Sequence, residues 1–369
     1  MTVRIINADV MDGLRQLPDE SVHCVVTSPP YWGLRDYGVD GQIGLEATLG
    51  EHISRMVEVF REVRRVMRKD ATLWLNYGDC YATSVNGRSA ADTKAVGNDD
   101  RTFRDKPFST VGPIIARGEG DAKRASEGKE SYRPGSEYRV CAGGYLKPKD
   151  LCMMPHRLAI ALQEDGWWVR CDIVWAKPNP MPESIKDRPT KAHEYVFLLS
   201  KSERYHYDAD AIRETRTSDE DANGFRGGSY VQGEPSSRAV VGNKRIKMDD
   251  SIDRRKVGFN QRWDAAEAAG DTLSGRNKRS VWTVATKAFD EAHFATFPPE
   301  LIEPMIKAGC PVGGTVLDPF SGAGTTAMVA DRLQRNAIGI ELNPEYAAMS
   351  ERRINGDRGA LLDLMEAAE

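Results

Sequence analysis

The sequence lacks the features that define several classes of protein. It has no run of 18 or more apolar residues and no N-terminal secretion signal, so we expect neither a membrane-spanning nor a secreted protein, and the predicted compartment is the cytoplasm. Its six cysteines include no Cys-x-x-Cys pair, which predicts reduced thiols and no metal site. The formal net charge is only −4, so the overall charge identifies no partner.

The first chemical signal that is present is a rigid polar corner. Residues 27–31 read Thr-Ser-Pro-Pro-Tyr, directly after the apolar run 22–26, which predicts a strand whose carboxyl end carries them. Because proline fixes φ and has no amide hydrogen, the carbonyls of Ser28 and Pro29 are held out as acceptors. Such a corner suits a planar amino group, with Tyr31 stacked on the attached ring. A plain Pro-Pro turn at the end of a strand is the alternative.

A second signal lies almost 300 residues further on. Residues 315–318 and 337–341 read as apolar strands, and 326–335 reads as the helix between them. A glycine-rich loop enters the helix, and Glu341 ends the second strand. Glycines there allow a ligand to approach the backbone, and a carboxylate at the next strand end can accept from ribose hydroxyls. The pattern predicts a nucleoside-binding β-loop-α-β unit.

The same loop also satisfies the dinucleotide fingerprint, as Gly322-x-Gly324-x-x-Ala327. A nicotinamide-dependent oxidoreductase is therefore a second candidate. Two observations count against it: only 28 residues follow Glu341, too few for a second nucleotide-binding half, and Asp318 would repel a pyrophosphate. A cationic, phosphate-free cofactor such as S-adenosylmethionine fits the loop better.

Taken together, the two motifs in this order resemble those of the DNA amino-methyltransferases, in the permuted β group whose catalytic segment precedes the cofactor loop. The resemblance covers about residues 1–82, 145–200 and 280–350. It implies a Rossmann-like α/β fold of the S-adenosylmethionine-dependent methyltransferase type, with a mostly parallel sheet and an inserted recognition region. The Ser-Pro-Pro-Tyr form is most similar to enzymes acting on cytosine N4, whereas adenine-N6 enzymes more often carry Asp or Asn at the position of Ser28.

The resemblance also implies two sets of site residues. The catalytic set is Ser28, Pro29, Pro30 and Tyr31. The cofactor set is Asp9, Phe297, Asp318, Phe320, Gly322, Gly324, Thr325, Glu341 and Asn343. If the predicted strand 3–6 lies beside the strand of Glu341, Asp9 faces the adenine amino group, although a helix cap explains Asp9 equally well. Phe297 belongs to a His-x-Ala-x-Phe-Pro segment at 293–298, which in the family lies against the cofactor.

The implied chemistry follows from the target nitrogen. The lone pair of an aromatic amino group is delocalised into its ring and is a poor nucleophile, so acceptors on both N–H bonds are needed to draw it toward tetrahedral geometry. The Ser28 hydroxyl and the Pro29 carbonyl are the proposed acceptors, and the target base must leave the duplex to reach them. Methylation at ring carbon 5 would instead need a nucleophilic Cys after a Pro, and no Pro-Cys dipeptide occurs.

Positive charge is concentrated in one stretch. Between residues 235 and 280, eleven Lys and Arg stand against six Asp and Glu. Three clusters of Lys and Arg in this stretch, at 244–247, 254–256 and 276–279, predict a surface that binds DNA phosphates. For any one cluster taken alone, an ordinary solvated surface is the alternative. The predicted DNA-contacting residues are Lys244, Arg245, Lys247, Arg254, Arg255, Lys256, Arg276, Lys278 and Arg279.

A chain of 369 residues with 40% hydrophobic content predicts one domain with insertions or two domains. The expected parts are a catalytic half (1–82 and 146–200), a flexible insertion (83–145), a target-recognition region (201–280), a cofactor-binding half (281–350) and a C-terminal tail (351–369).

The predicted activity is methylation of cytosine N4 in duplex DNA, with adenine N6 as the alternative. A DNA-binding protein without catalysis would explain the basic stretch but neither motif. A cognate restriction endonuclease and a homodimer are left open.

Overall fold

The computed structural model describes residues 1–32, 41–46, 48–82, 146–147, 149–214, 276–286 and 298–366. The chain divides into two compact units, Met1–Asp208 with Ser280–Glu369, and Ala209–Arg279. The insertion predicted at 83–145 lies outside the described residues. No helix in the described part of the chain is both long and apolar enough to cross a membrane.

Eight strands of the first unit form one sheet. In chain order they are β1 (Val3–Asn7), β2 (Val22–Thr27), β3 (Met67–Tyr77), β4 (Trp168–Ala176), β5 (His193–Ser200), β6 (Val281–Thr283), β7 (Thr315–Asp318) and β8 (Asn336–Glu341). Their order across the sheet is β1-β8-β7-β2-β3-β5-β4-β6. All neighbours are parallel except the two pairs that include β5, so β5 runs against the other strands. The predicted α/β fold with a mostly parallel sheet is confirmed.

Helices cover this sheet. In the described residues they are α1 (Val10–Arg15), α2 (Leu49–Val66), α3 (Met154–Glu164), α4 (Pro299–Gly309), α5 (Thr325–Arg332) and α6 (Pro344–Glu366). In α2, Thr48 and Glu51 form a capping box, so two backbone amides at the helix start have side-chain partners. Met56, Phe60 and Val63 follow at helical spacing and are fully buried, which packs one face of α2 into the core.

The pairing of β1 with β8 brings the carboxyl ends of the first and the last strand in the sequence to one edge of the sheet. β1 pairs with β8 in parallel register, with Asn7 opposite Glu341. The predicted neighbourhood of the strand at 3–6 and the strand of Glu341 is therefore confirmed. Since parallel strands end at the same edge, the residues after β1, β2, β7 and β8 converge there.

Two predicted boundaries differ from the structure. The apolar run 72–76 predicts a strand that begins at Thr72, but β3 already begins at Met67, which pairs with Val22 of β2. Residues 68–70 are charged and exposed, so they carry no apolar pattern although their backbone continues the strand. The helix predicted to end at Arg335 ends at Arg332, because Gln334 adopts a left-handed backbone (φ 60°) that turns the chain into β8.

Candidate active site

A cavity of about 230 Å³ lies at the carboxyl edge of the sheet. The predicted catalytic set, Ser28, Pro29, Pro30 and Tyr31, lines it. So do most predicted cofactor residues, namely Asp9, Asp318, Phe320, Gly322, Thr325, Glu341 and Asn343. Gly324, the N-cap of α5, is not among the lining residues, and Phe297 lies outside the described residues. Two motifs almost 300 residues apart in sequence thus face the same space.

Asp318, at the end of β7, is almost fully buried and organises the glycine turn. Its Oδ1 accepts from Thr27 Oγ1 (2.8 Å) and from the Phe320 amide (3.1 Å), and its Oδ2 accepts from Thr326 Oγ1 (2.7 Å). Burial raises the pKa of this carboxyl to about 6, against the opposing effect of these three hydrogen bonds. The contact with Thr27 also ties the turn directly to the strand that carries Ser28.

The turn itself requires glycine. Gly324 has φ 73°, and a Cβ added to it would stand 2.8 Å from the Cβ of Ser350. Gly322 has φ 51°, and a Cβ there would meet no heavy atom within 4 Å, so the backbone faces open space. Ser350 Oγ donates to the Gly322 carbonyl (2.7 Å), which fixes the turn from α6.

Glu341 and Asp9 occupy the neighbouring strand ends. Glu341 accepts from the Gly322 amide (2.8 Å) and the Asn343 amide (2.9 Å), and burial raises its pKa. Asp9 lines the cavity and also caps α1, since its Oδ1 accepts from the Met11 amide (2.8 Å). The helix cap is therefore present, and the contact of Asp9 with an adenine amino group stays a prediction that its place on the cavity wall allows.

At the other end of the cavity, the Ser28 hydroxyl does not stand alone. Ser28 Oγ lies 3.1 Å from Tyr31 Oη, which lies 3.0 Å from Asn76 Oδ1 and 3.1 Å from Glu194 Oε2. Lys177 Nζ forms an ion pair with the other oxygen of Glu194. The Tyr31 ring packs against Gly78, where a Cβ would overlap it.

Asn76, Lys177 and Glu194 line the same cavity, and the sequence reasoning did not identify them. The proline-rich sequence 177–182 predicts a stiff loop, which could serve as a plain connector or cover a flipped base, and does not single out Lys177. Glu194 was missed because it stands near the beginning of a strand. As β5 is antiparallel, its beginning lies at the edge where the parallel strands end, with Glu194 opposite Trp175 of β4.

A buried set of side chains supports the Pro-Pro corner from behind. Tyr77 Oη lies 3.3 Å from the Pro30 carbonyl and accepts from the Trp32 amide at 3.1 Å. His52, fully buried, bridges Tyr77 Oη and Glu46 Oε2, each at 2.7 Å. These contacts fix the backbone that presents the Pro29 carbonyl.

In the second unit, three predicted DNA-contacting residues are described. Arg276 and Arg279 both pair with Glu214, at 3.1 and 3.0 Å, and Lys278 stands between them in sequence. The number of charged residues in this stretch did not predict that Glu214 pairs with both arginines. The six others, Lys244, Arg245, Lys247, Arg254, Arg255 and Lys256, lie outside the described residues.

With this geometry in place, comparisons with known proteins agree on the class. The family model described as DNA methylase, N6_N4_Mtase, matches residues 22–352. The type II methyltransferase M.Cfr9I of Citrobacter freundii is 40% identical over 353 residues, which cover 96% of this chain and 88% of that protein. The chain therefore belongs to the N6/N4 DNA methylase family and is a DNA methyltransferase.

Solved structures agree on the fold. The PvuII DNA methyltransferase, cytosine-N4-specific, aligns with a TM-score of 0.53 at 16% identity, over 98% of this chain and 93% of that one. A candidate DNA modification methylase from Thermus thermophilus, complexed with S-adenosyl-L-methionine, aligns with a TM-score of 0.50 at 19% identity, over 96% and 94% of the two chains.

Proposed function

We propose that the protein transfers the methyl group of S-adenosylmethionine to the exocyclic N4 amino group of a cytosine flipped out of duplex DNA. The observation that carries this proposal is the cavity shared by the Ser-Pro-Pro-Tyr corner and the glycine turn. The donor and the acceptor of a methyl group must meet within a few ångströms, and these two motifs are the ones that would hold them.

The glycine turn suits a cationic nucleoside. Open space beside Gly322 allows a ligand to approach the backbone, and Glu341 has further lone pairs with which to accept from ribose hydroxyls. Asp318 supplies negative charge beside the turn, where a sulfonium or an ammonium is favoured and a pyrophosphate is not. S-adenosylmethionine bound there supplies an electrophilic methyl group.

The catalytic corner acts on the target nitrogen. The Ser28 hydroxyl and the Pro29 carbonyl accept its two N–H bonds, which draws its lone pair out of the ring, and Tyr31 holds the base by stacking. The acceptors are fixed before the base arrives, because the contacts behind Pro30 and around Ser28 are already made.

Cytosine N4 is favoured over adenine N6 by the residue at position 28. A serine hydroxyl stands there, where adenine-N6 enzymes of this family more often have Asp or Asn. Ser28 Oγ lies on the cavity wall and next to Tyr31, so it is placed to contact a base held by that ring. Expression in a host without DNA modification, followed by sequencing that distinguishes 4-methylcytosine from 6-methyladenine, tests the assignment. Methylation of adenine alone would contradict it.

The unit Ala209–Arg279 is the proposed target-recognition region. It contains the basic stretch, and a cognate restriction endonuclease would cut the sequence that this region reads. Neutralising Arg254, Arg255 and Lys256 together should weaken DNA binding and reduce the slope of log affinity against log salt by about 2 to 3. Affinity for S-adenosylmethionine should stay unchanged. Titrations at several salt concentrations measure both quantities, and an unchanged slope would leave these residues as solvated surface.

A further inference from the structure

A series of contacting side chains, called here the Ser28–Lys177 chain, runs across the catalytic end of the cavity, from Ser28 through Tyr31 and Glu194 to Lys177. Its hydroxyl and carboxylate contacts are 3.1 Å each, and the ion pair closes it. The side chains of Lys177 and Glu194 are 17% and 19% exposed, so the pair is mostly withdrawn from water. Lys177 Nζ also lies 4.2 Å from the centre of the Trp175 ring.

The direction of the protons in this chain follows from which atoms can donate. Asn76 Nδ2 donates to the Tyr195 carbonyl (3.0 Å), so the amide oxygen of Asn76 faces Tyr31. A carboxylate oxygen only accepts. Tyr31 Oη therefore has two acceptors beside it and directs its single proton toward them. Ser28 must then donate its proton to Tyr31 Oη, which leaves the lone pairs of Ser28 Oγ for the cavity.

We propose that Glu194, held by Lys177, is a positioning residue that turns the Ser28 hydroxyl into an acceptor for the target amino group. The inference rests on the proposed function, because only an amino group needs an acceptor at this point. A donor in the place of Glu194 would compete with Ser28 for the lone pairs of Tyr31 Oη, although Asn76 Oδ1 would still accept the Tyr31 proton. Ser28 could then turn its own proton to the cavity and repel the N–H bond that it should receive.

Lys177 has a definite part in this arrangement. Burial disfavours the carboxylate of Glu194, but the Lys177 ammonium and the hydrogen bonds from Lys177, Tyr31 and Asn76 hold its pKa below the ordinary value. An ionised Glu194 cannot donate, so the proton direction through Tyr31 is fixed. A protonated carboxyl could donate to Tyr31 and reverse it.

A double-mutant cycle tests the proposal. The substrate is unmethylated plasmid DNA that contains the sequence methylated by the wild-type protein. In Glu194→Gln, the amide oxygen pairs with Lys177 and the amide nitrogen donates toward Tyr31. We expect the single-turnover rate to fall about 10- to 100-fold, with the dissociation constants of DNA and cofactor changed less than about twofold. Tyr31→Phe removes the connecting hydroxyl and keeps the ring. Because Glu194 acts through that hydroxyl, Glu194→Gln should slow the Tyr31→Phe enzyme little further.

The exposed pair Glu303–Lys307 in α4 provides a matched control, and Glu303→Gln should keep the full rate. Lys177→Gln is the second variant if Glu194→Gln does not fold, and it should lose rate in the same Tyr31-dependent way. Independent, multiplying losses in the double variant, or a full rate in Glu194→Gln, would overturn the role of Glu194. A wild-type protein that methylates no DNA amino group would overturn the proposed function together with it.

Discussion

The two ends of the cavity are held by different kinds of contact. At the glycine turn, the carboxylates of Asp318 and Glu341 accept mainly from backbone amides and threonine hydroxyls, which carry no charge. At the catalytic corner, side chains from β3, from β5 and from the loops after β2 and β4 contact one another and end in the ion pair Lys177–Glu194. The first end is built mostly from residues 318–343, with further bonds from Thr27 and Ser350, and the second is assembled entirely from distant segments.

This difference separates binding from chemistry. Changes at the glycine turn should remove cofactor affinity, because its carboxylates shape the backbone that a nucleoside contacts. Changes at the catalytic corner should mainly lower the rate of transfer, because its groups act on the target nitrogen as it becomes tetrahedral. Four variants and one pH titration can sharpen or break this contrast.

The largest effect is expected for Asp318→Ala. It removes the buried carboxylate, leaves the hydroxyls of Thr27 and Thr326 without their acceptor and opens the turn. S-adenosylmethionine binding, measured by calorimetry, should be abolished. The matched variant Asp318→Asn keeps an acceptor and removes the charge, so it should fold normally and bind weakly. Normal cofactor affinity in a folded Asp318→Ala protein would refute the assignment of the turn.

A smaller effect, on rate alone, is expected for Ser28→Ala. It removes one acceptor but keeps the carbonyls of the corner, so single-turnover methylation should slow by roughly 30- to 1000-fold, or about 2–4 kcal/mol. DNA and cofactor affinities should be almost unchanged. Under the proposed function the Tyr31 ring stacks on the flipped base before and during transfer, so Tyr31→Ala should damage both rate and DNA binding. If Ser28→Ala reacts at the full rate, its hydroxyl is only part of a Pro-Pro turn.

The smallest effect is a pH dependence at the glycine turn. Burial raises the pKa of Asp318 to about 6, so the carboxyl is mostly protonated at pH 5 and mostly ionised at pH 7. A cationic cofactor favours the ionised form, and its affinity should therefore increase with pH and level off above that pKa, by about tenfold from pH 5 to the plateau. In Asp318→Asn this increase should disappear. If cofactor affinity increases with pH equally in the wild type and in Asp318→Asn, a group other than Asp318 causes the pH dependence.

The same contrast explains how much of the site could be predicted from sequence. Asp318 accepts from Thr326, eight positions away, and Glu341 accepts from Gly322, nineteen away, so most of the turn lies in one short stretch of sequence. Its bond from Thr27, 291 positions away, could not be predicted in this way. Tyr31 contacts Asn76, which is 45 positions away in sequence, and Glu194, which is 163 positions away, and a local sequence pattern cannot predict contacts over such distances. The sheet was predictable from apolar runs. The extension of β3 to Met67 was not, because exposed charged residues hid a backbone pairing.

The pairing of β1 with β8 has a consequence for the order of synthesis. Val3 leaves the ribosome early, yet its partner Ala337 is made 334 residues later. At roughly 5–20 residues per second, β1 waits about 20–70 s before its neighbour exists. Glu341, the last residue of β8, lines the cavity, so the cavity also cannot close on a cofactor until then. We therefore expect a nascent chain to lack a complete cavity until β8 has joined the sheet.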